Sequence, residues 1–578
     1  MTGPSDVSPA SPTQDRRDEL VRTANEWIAQ DPDPATRAAL HEVIARDDLS
    51  ELSELVSGRL AFGTAGLRAP LGPGPNRMNR LVVRQSAAGI ARVLRATGAD
   101  PRRGVVVAHD ARHGSAEFCA DLIEVLTSYG YDVHVLDGPT PTPLGAFAVR
   151  HLGAAAGLVV TASHNPAADN GVKVYWGDGA QIVPPVDARI ATEIDEVAAS
   201  GSIPVDPASG DAPGRTLHLG GPDADTELVR AYVHEALSTR GATVSAPATP
   251  ITIVVTSLHG VGATLLERVL GAGGHLDVHP VERQRRPDPD FPTVAFPNPE
   301  EPGALDELLA LAAERGAHVA LANDPDADRL AVAVPSPSGE WTALSGDQLG
   351  ALLAHHLLGR SRSSNERLLA TTVVSSRLAG RIAQQAGAHF VETLTGFKWL
   401  CRPGIEHPEW QQVLLYEEAL GYAIGLDTRD KDGIVAALVV ADLIAELHRD
   451  DRSVWQVLDE LALAHGAHVQ RNGSVRFEGP DWRAQVDRAT STLADDPPEQ
   501  LGGLDVVARD RPAADVLRFW LSDDTRVVVR PSGTEPKWKY YCEAVEPVAG
   551  SGDAAAARER ATQRLALVVE HVISLAAR

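Results

Sequence analysis

Apolar and polar positions along this chain follow two periods that take turns. From about Arg80 a stretch with helical spacing, RLVVRQSAAGIARVL, precedes a short apolar run at 104–108. A second helical stretch, SAEFCADLIEVLTSYG, precedes two strand-like runs, YDVHVLDG and GLVVTASHNP. Short apolar runs separated by helices and ending in loops predict βαβ units, a sheet with many parallel strands and helices on its faces. The pattern restarts at Ile251 (ITIVVTSLHG, then a helix) and near Leu368 (LLATTVVSS, then a helix). Three restarts predict three α/β units of similar design, although the letters show no clear repeat.

The ends of the chain read differently. The first fifteen or so residues are Ser/Pro-rich, which predicts disorder. Leu20, Ala24, Trp27 and Ile28 then share one helical face, and Asp33-Pro34 reads as an N-cap with proline in the first turn of a second helix. These helices look like a small N-terminal extension. After Arg471 short strands dominate (SVRFEG, LDVVARD, VLRFWLSDDTRVVVRPSG) and an amphipathic helix closes the chain. The expected organisation is an extension at 1–50, three related mixed-sheet α/β domains at 51–235, 236–345 and 346–470, and a smaller C-terminal α+β domain at 471–578. Active sites in such assemblies lie where strand-end loops converge.

Composition narrows function more than fold. A chain of 578 residues exceeds what one hydrophobic core organises. Its formal net charge of -25 and aromatic share of 4% argue against nucleic-acid binding, which needs a basic surface and stacking platforms. An anionic substrate would have to be drawn in by a few local basic groups, against the sign of the whole molecule. Cys119, Cys401 and Cys542 form no C-x-x-C pair, which excludes a disulfide framework and a cysteine–zinc site. The N-terminus has no apolar h-region and no apolar run is long enough to cross a bilayer. A cytoplasmic protein with small-molecule partners and neither nucleic acid nor membrane is expected, as a monomer or a dimer.

Three loops carry candidate chemistry. Thr161-Ala162-Ser163-His164-Asn165-Pro166 follows an apolar run, so Ser163 sits at a strand's carboxyl end, with Lys173 ten positions on. A serine that accepts a phosphoryl group needs exposure, a cation and a nearby acid/base, and His164 and Lys173 could supply the last two. A polar strand-end turn would use the same letters. A G-x-S-x-G elbow does not fit, since Thr161 and Asn165 flank the serine two positions away.

Asn323-Asp324-Pro325-Asp326-Ala327-Asp328-Arg329 lies between two apolar runs, HVALA and LAVAV. In an extended loop, i, i+2 and i+4 project to one side, which would gather Asp324, Asp326 and Asp328. Clustered carboxylates repel unless a cation or protons neutralise them, and hard oxygen ligands favour Mg²⁺ or Ca²⁺. An EF-hand fails, because Arg329 and Pro335 occupy its glycine and terminal glutamate positions. A solvated acidic hairpin tip is the competing reading. Arg530-Pro531-Ser532-Gly533-Thr534-Glu535-Pro536-Lys537 also follows a strand. Its hydroxyls, backbone amides and arginine fork can surround a phosphate, though it is no Walker A loop and could be a plain Pro/Gly turn.

Other features are weaker. Gly260-Val261-Gly262 lacks the third glycine of a dinucleotide fingerprint, so a structural turn is expected. Asp110-Ala111-Arg112 and Thr140-Pro141-Thr142-Pro143 are explained by turn chemistry. Phe62–Arg68 is a flexible loop ending in a phosphate-pairing arginine candidate, and Lys398 and Glu417-Glu418 could bind sugar hydroxyls.

Taken in order, FGTAGLR (62–68), TASHNP (161–166), DPDADR (324–329), TGFKW (395–399), EEALGY (417–422) and RPSGTEPK (530–537) make the chain resemble the α-D-phosphohexomutase family of phosphoglucomutases and phosphomannomutases, in the longer branch that also includes phosphopentomutases. The resemblance spans nearly the whole chain. It implies four domains around a central cleft and a phosphorylated Ser163. Asp324, Asp326 and Asp328 would hold Mg²⁺ against the phosphate of Ser163. Arg68 and Arg329 would steady the transferring group, with Lys173 and His164 as acid/base candidates. Lys398 and Glu417 would contact the sugar, while Arg530, Ser532, Gly533, Thr534 and Lys537 would grip the phosphate not being transferred.

Phosphoserine would donate to a sugar monophosphate, giving a bisphosphate that turns over and returns its other phosphate, so a catalytic sugar 1,6-bisphosphate is the expected activator. Many family members carry E-x-S in the sugar loop, whereas Ala419 stands at the third position here. A glucose and/or mannose phosphate is expected. Ribose or deoxyribose phosphate, a hexose 1,6-bisphosphate synthase and an inactive sugar-phosphate binder are the alternatives.

Overall fold

Four β-sheets succeed one another along the chain, and the first three repeat one design. The structure, a computed structural model, describes residues 12–60, 66–203, 213–240, 249–360, 366–425, 428–479, 481–532 and 537–576. The first sheet runs, in spatial order, Leu67–Pro70, Asp169–Trp176, Ala156–Val160, Val105–His109, Val133–Pro139 and Thr216–His218. Its last four strands are parallel and its first two antiparallel. In the second, Val319–Ala322, Ile253–Thr256 and Val278–Pro280 are parallel, with Ala331–Pro335 and Trp341–Ala343 added antiparallel. In the third, Arg367–Thr372 lies parallel between His389–Thr393 and Gln411–Glu417, and Gly421–Ile424 is antiparallel. The fourth sheet, six-stranded, is wholly antiparallel.

The repeat hidden in the letters is topological. In each α/β sheet the parallel strand at one edge of the parallel array turns back through a hairpin into an antiparallel neighbour. Val160 pairs with Val172, Ala322 with Ala331, and Glu417 with Gly421. The serine, aspartate and EEALGY segments are these three hairpin loops. Each contains a non-glycine residue in the left-handed region: Ser163 at φ 52°, Ala327 at 59° and Leu420 at 62°. Such residues are uncommon and mark places where the surroundings impose the backbone.

The chain forms two compact units, Met1–Thr226 with Pro287–Pro297, and Glu227–Arg286 with Asn298–Arg578. In the first, helix Arg80–Ala96 starts at Asn79, whose side chain caps Val82 N–H, and packs its apolar residues on the sheet. The N-terminal helices share that core. Leu20, Ala24, Trp27, Leu40 and Val43 are buried among the same residues, so these helices complete the first α/β body rather than hang from it. Asp33 caps the second helix through Ala35 N–H, as its sequence predicts. The first helix begins at Pro12, earlier than the Ser/Pro-rich composition suggests, and residues 1–11 lie outside the described residues.

The C-terminal sheet departs from expectation in two ways. Its first strand, Ala467–Arg476, begins before Arg471, and a helix, Trp482–Asp495, interrupts the strands. Val486, Ala489 and Leu493 are its buried residues, a helical spacing that the strand-rich surroundings obscure. Trp538, Tyr540, Cys542 and Ala544 alternate inward along strand Lys537–Glu546 and meet Leu565, Val568 and Val572 of the closing helix Ala554–Leu575. The opposite face carries Lys537, Lys539, Tyr541 and Glu543. There Tyr541 and Val528 pack on Val373 and Val374, in the turn that follows strand Arg367–Thr372.

Candidate functional site

Within the first unit the serine hairpin is held from beneath by one arginine. Arg112 Nη2 donates to the carbonyls of Ser163 (2.7 Å) and Asn165 (2.6 Å), and Nη1 to those of Pro166 (2.7 Å) and Asp169 (3.1 Å). Asp110, buried beside it, pairs with the guanidinium at 3.3 Å and accepts from Ser115 Oγ. Ser163 N–H is capped by Thr161 Oγ1 at 2.8 Å, and Ser163 Oγ lies 3.2 Å from His164 Nδ1. Arg68 Nη1 donates to Asn165 Oδ1 at 2.9 Å, from a strand that pairs Arg68 with Gly171. Lys173, 2% exposed, pairs with Val159 one strand over. Arg68, Ser163 and His164 thus meet around this hairpin, and Lys173 lies on its returning strand. Residues 62–65 lie outside the described residues.

In the second unit the aspartate segment is a tight turn, which corrects the expectation of an extended alternating loop. Ala327 N–H donates to Asp324 carbonyl at 2.9 Å, and Asp324 Oδ1 accepts Arg329 N–H at 3.0 Å. Asp324, Asp326 and Asp328 offer oxygens within 4.8 Å of one another. All three are 0% exposed, which rules out the solvated hairpin tip. Three buried carboxylates need cations, and the oxygen-only donor set at this spacing fits a hard divalent ion. Two cations already stand beside them: Lys431 Nζ lies 3.2 Å from Asp328 Oδ2, and Arg329 Nε 3.9 Å from Asp324 Oδ2.

The turn is caged by close backbone approaches. A Cβ on Gly260 would land on the backbone of Pro325, whose carbonyl accepts Val261 N–H at 2.8 Å, and one on Gly262 would strike the Ala327 methyl. That is the physical use of Gly260-Val261-Gly262, the structural turn the sequence predicts. On the other side Gly433 N–H donates to Ala327 carbonyl at 3.2 Å, at the start of helix Gly433–Arg449. Asp432 caps that helix through Ile434 and Val435 N–H and accepts Tyr232 OH at 2.8 Å.

The EEALGY hairpin abuts the aspartate turn, through a bridge between Arg329 and Gly421 and a hydrogen bond from Leu330 N–H to Leu420 carbonyl. Gly396 N–H donates to Glu417 Oε2 at 3.1 Å, which ties TGFKW to it, while Lys398 lies 5.8 Å over the Trp399 ring. Burial pushes the Glu417 carboxyl above the usual range and Glu418 adds to this, against the charges of Lys431 and Arg329. Burial opposes the charge of Lys431, but Asp328, Asp430 and Glu417 overcome it and hold the ammonium well above its ordinary range.

In the C-terminal sheet Arg530 Nη2 donates to Tyr541 OH at 3.1 Å, and Ser532 N–H to Lys537 carbonyl at 2.8 Å, closing the loop between their strands. Gly533 and Thr534 lie outside the described residues.

Two residues escaped the sequence. Turn chemistry accounts for the letters around Arg112, yet its side chain clamps the serine hairpin. Lys431 sits between Asp430 and Asp432 ahead of a long apolar helix, and its own neighbours were the available signal.

The α/β repeats and this acidic turn define a class that comparison with known proteins identifies. Residues 59–200, 230–338 and 345–463 match the family descriptions "Phosphoglucomutase/phosphomannomutase, alpha/beta/alpha domain" I, II and III. The "Probable phosphomannomutase" of Haemophilus influenzae is 38% identical over 81% of this chain and 93% of its own length. The "Phosphopentomutase" of Homo sapiens is 32% identical over 96% of this chain and 95% of its own. A phosphoglucomutase/phosphomannomutase family protein from Burkholderia thailandensis shares the fold at a TM-score of 0.65 and 20% identity, covering 88% of this chain and 97% of that one. The chain belongs to the phosphoglucomutase/phosphomannomutase family, isomerases that transfer phosphate within a sugar. Among the described residues no helix is long and apolar enough to cross a membrane.

Proposed function

We propose that this enzyme interconverts the 1-phosphate and 6-phosphate of a hexose, glucose and/or mannose, through a phosphoserine at Ser163 and a sugar bisphosphate. The observation that carries this reading is the serine hairpin, with Ser163 in a left-handed conformation and its Oγ 3.2 Å from His164 Nδ1. The sugar's free hydroxyl attacks the phosphorus and gives its proton to His164 or Lys173, and the P–O bond to Ser163 breaks. Arg68 and Arg329 steady the phosphoryl group. Lys398 and Glu417 orient the sugar, and Arg530, Ser532, Gly533, Thr534 and Lys537 hold its distal phosphate. After the bisphosphate reorients, the reverse transfer restores phosphoserine.

Asp324, Asp326 and Asp328 are the residues that would hold Mg²⁺, with a Ser163 phosphate oxygen as a further ligand. Bound there, the ion supplies positive charge against the phosphoryl oxygens. The four-domain division 51–235, 236–345, 346–470 and 471–578 and a cytoplasmic location belong to the same proposal. A sugar 1,6-bisphosphate primes the enzyme.

A second reading has a specific observation behind it: a relative named phosphopentomutase spans nearly the full chain. Ala419 leaves no hydroxyl at the position where many family members read the ring, so a pentose phosphate is the alternative substrate. A mutase assay on the 1-phosphates of glucose, mannose, glucosamine, ribose and deoxyribose decides between them. Turnover sustained by catalytic bisphosphate alone speaks for a mutase, and an absolute need for an acyl-phosphate donor for a bisphosphate synthase. No turnover of any of the five overturns the proposal.

A further inference from the structure

Residues 431–433 touch the aspartate turn on both sides of Asp432. Lys431 Nζ lies 3.2 Å from Asp328 Oδ2, and Gly433 N–H donates to the Ala327 carbonyl at 3.2 Å. Gly433 is also pressed so close that a Cβ there would strike the Arg329 carbonyl. Asp432 stands between these contacts, with its own N–H donating to the Tyr422 carbonyl at 2.7 Å.

The Asp432 side chain is held more firmly than a helix start requires. An N-cap carboxylate serves the first turn with one oxygen, and here Oδ1 takes Ile434 and Val435 N–H at 3.1 and 2.9 Å. The second oxygen of an exposed cap turns to water, but Asp432 is 1% exposed. Among the described residues the donor to Oδ2 is Tyr232 OH, at 2.8 Å, which also lies 2.9 Å from Oδ1. Tyr232 is buried as deeply and comes from helix Glu227–Ser238, far away in sequence. Burial, and the Asp432 charge beside it, push its phenol well above the ordinary range, so the hydroxyl remains a donor. A buried carboxylate oxygen stripped of its donor is costly, and the side chain would turn to find another. Turning it would shift residues 431 and 433, and with them the ammonium on Asp328 and the amide on Ala327.

We propose that Tyr232 is a positioning residue for the divalent ion that Asp324, Asp326 and Asp328 would hold. It acts through Asp432 and is not a ligand. By fixing that carboxylate it fixes residues 431–433, which set where the Asp328 side chain and the Ala327 backbone stand, and so how the three carboxylates are spaced. Groups that orient metal ligands at one remove change the affinity about 10- to 100-fold when they are lost. The proposal rests on the reading that the trio binds Mg²⁺, and it names the distant side chain that keeps the trio in shape.

The test uses the full chain and the variants Tyr232→Phe, Asp432→Ala and the two combined, with Mg²⁺ alone as probe. Binding is read by titration calorimetry and by the melting temperature. Tyr232→Phe should weaken Mg²⁺ binding about tenfold and shrink the upward melting shift that the ion gives the wild type. The variant should also need about tenfold more Mg²⁺ for half-maximal turnover, with kcat at saturating ion within about twofold. In the Asp432→Ala background, Tyr232→Phe should weaken the ion no further, because its action passes through that carboxylate. A Tyr232→Phe chain that melts lower yet binds Mg²⁺ as tightly as the wild type would overturn the proposal alone, since the hydroxyl would then serve stability only. Losses in the two single variants that add in the combined one would also overturn it. A wild type that binds no Mg²⁺ would overturn the metal reading of the trio and this inference together.

Discussion

Arg112 holds Ser163 by its carbonyl oxygen, 2.7 Å from Nη2, while the same guanidinium reaches three further carbonyls of the hairpin. A serine at positive φ stays there only if its surroundings hold it, and this arginine supplies that hold. Arg112→Ala leaves Asp110 buried without its cation, so the cost should be about 3–5 kcal/mol in urea unfolding. Arg112→Lys keeps the charge but loses the fork. It should regain much of the stability while phosphorylation of Ser163 by a sugar bisphosphate stays slow. A lysine variant phosphorylated at the wild-type rate would show that the fork does not shape the loop.

Purified protein should carry phosphate on Ser163, at least in part. Peptide mapping by mass spectrometry would find it on the TASHNP peptide, and Ser163→Ala should be inactive. Reproducible phosphate elsewhere, with none on Ser163 even after incubation with sugar bisphosphate, would count against the assignment.

Asp326→Ala should abolish activity with little loss of stability, because it relieves repulsion among three carboxylates lying within 4.8 Å. Chelation by EDTA should silence the wild type, and added Mg²⁺ should restore it. Full turnover in rigorously metal-free buffer would contradict the role given to the trio.

Arg530→Ala should raise KM more than it lowers kcat, since a grip on the phosphate not in flight is nearly equal in ground and transition states. The charge-assisted fork is worth about 2 kcal/mol, or roughly thirtyfold in kcat/KM, and the defect should appear in both directions. Abolition of kcat at unchanged KM would assign Arg530 to the chemical step.

Asp347 gives the fold a pH dependence. Burial, and then the charge of Glu418, raise its carboxyl to about 7, although Ser376 N–H and Tyr416 OH donate to it. Between the ordinary carboxylate range and pH 7 the folded chain holds a proton that the unfolded chain has lost. Its contribution is therefore full at low pH and is lost as pH rises to 7, with a slope of about 1.4 kcal/mol per unit at most. Urea unfolding from pH 5 to 8 should show Asp347→Asn flatter than the wild type across that window. Identical slopes would mean that Asp347 is ionised throughout.

How far sequence reaches is plain from individual residues. The alternation of helical and strand periods announced the βαβ rhythm, and Asp33-Pro34 announced its own helix start, because those signals depend on neighbours a few positions apart. The segments around Ser163, Asp326 and Arg530 were legible as motifs for the same reason. Their topological equivalence was not, since it depends on which strand each one turns back against. Only the tertiary structure decided that Asp324, Asp326 and Asp328 are gathered by a tight turn, because glycines at 260, 262 and 433 press their neighbours around it. It alone brought Lys431 onto Asp328, and Tyr232 onto Asp432 from 200 residues away. Periodicity records which face of an element is buried, and it carries no information about which distant element buries it. Sheet order and crossovers settle that, and with them which charges meet.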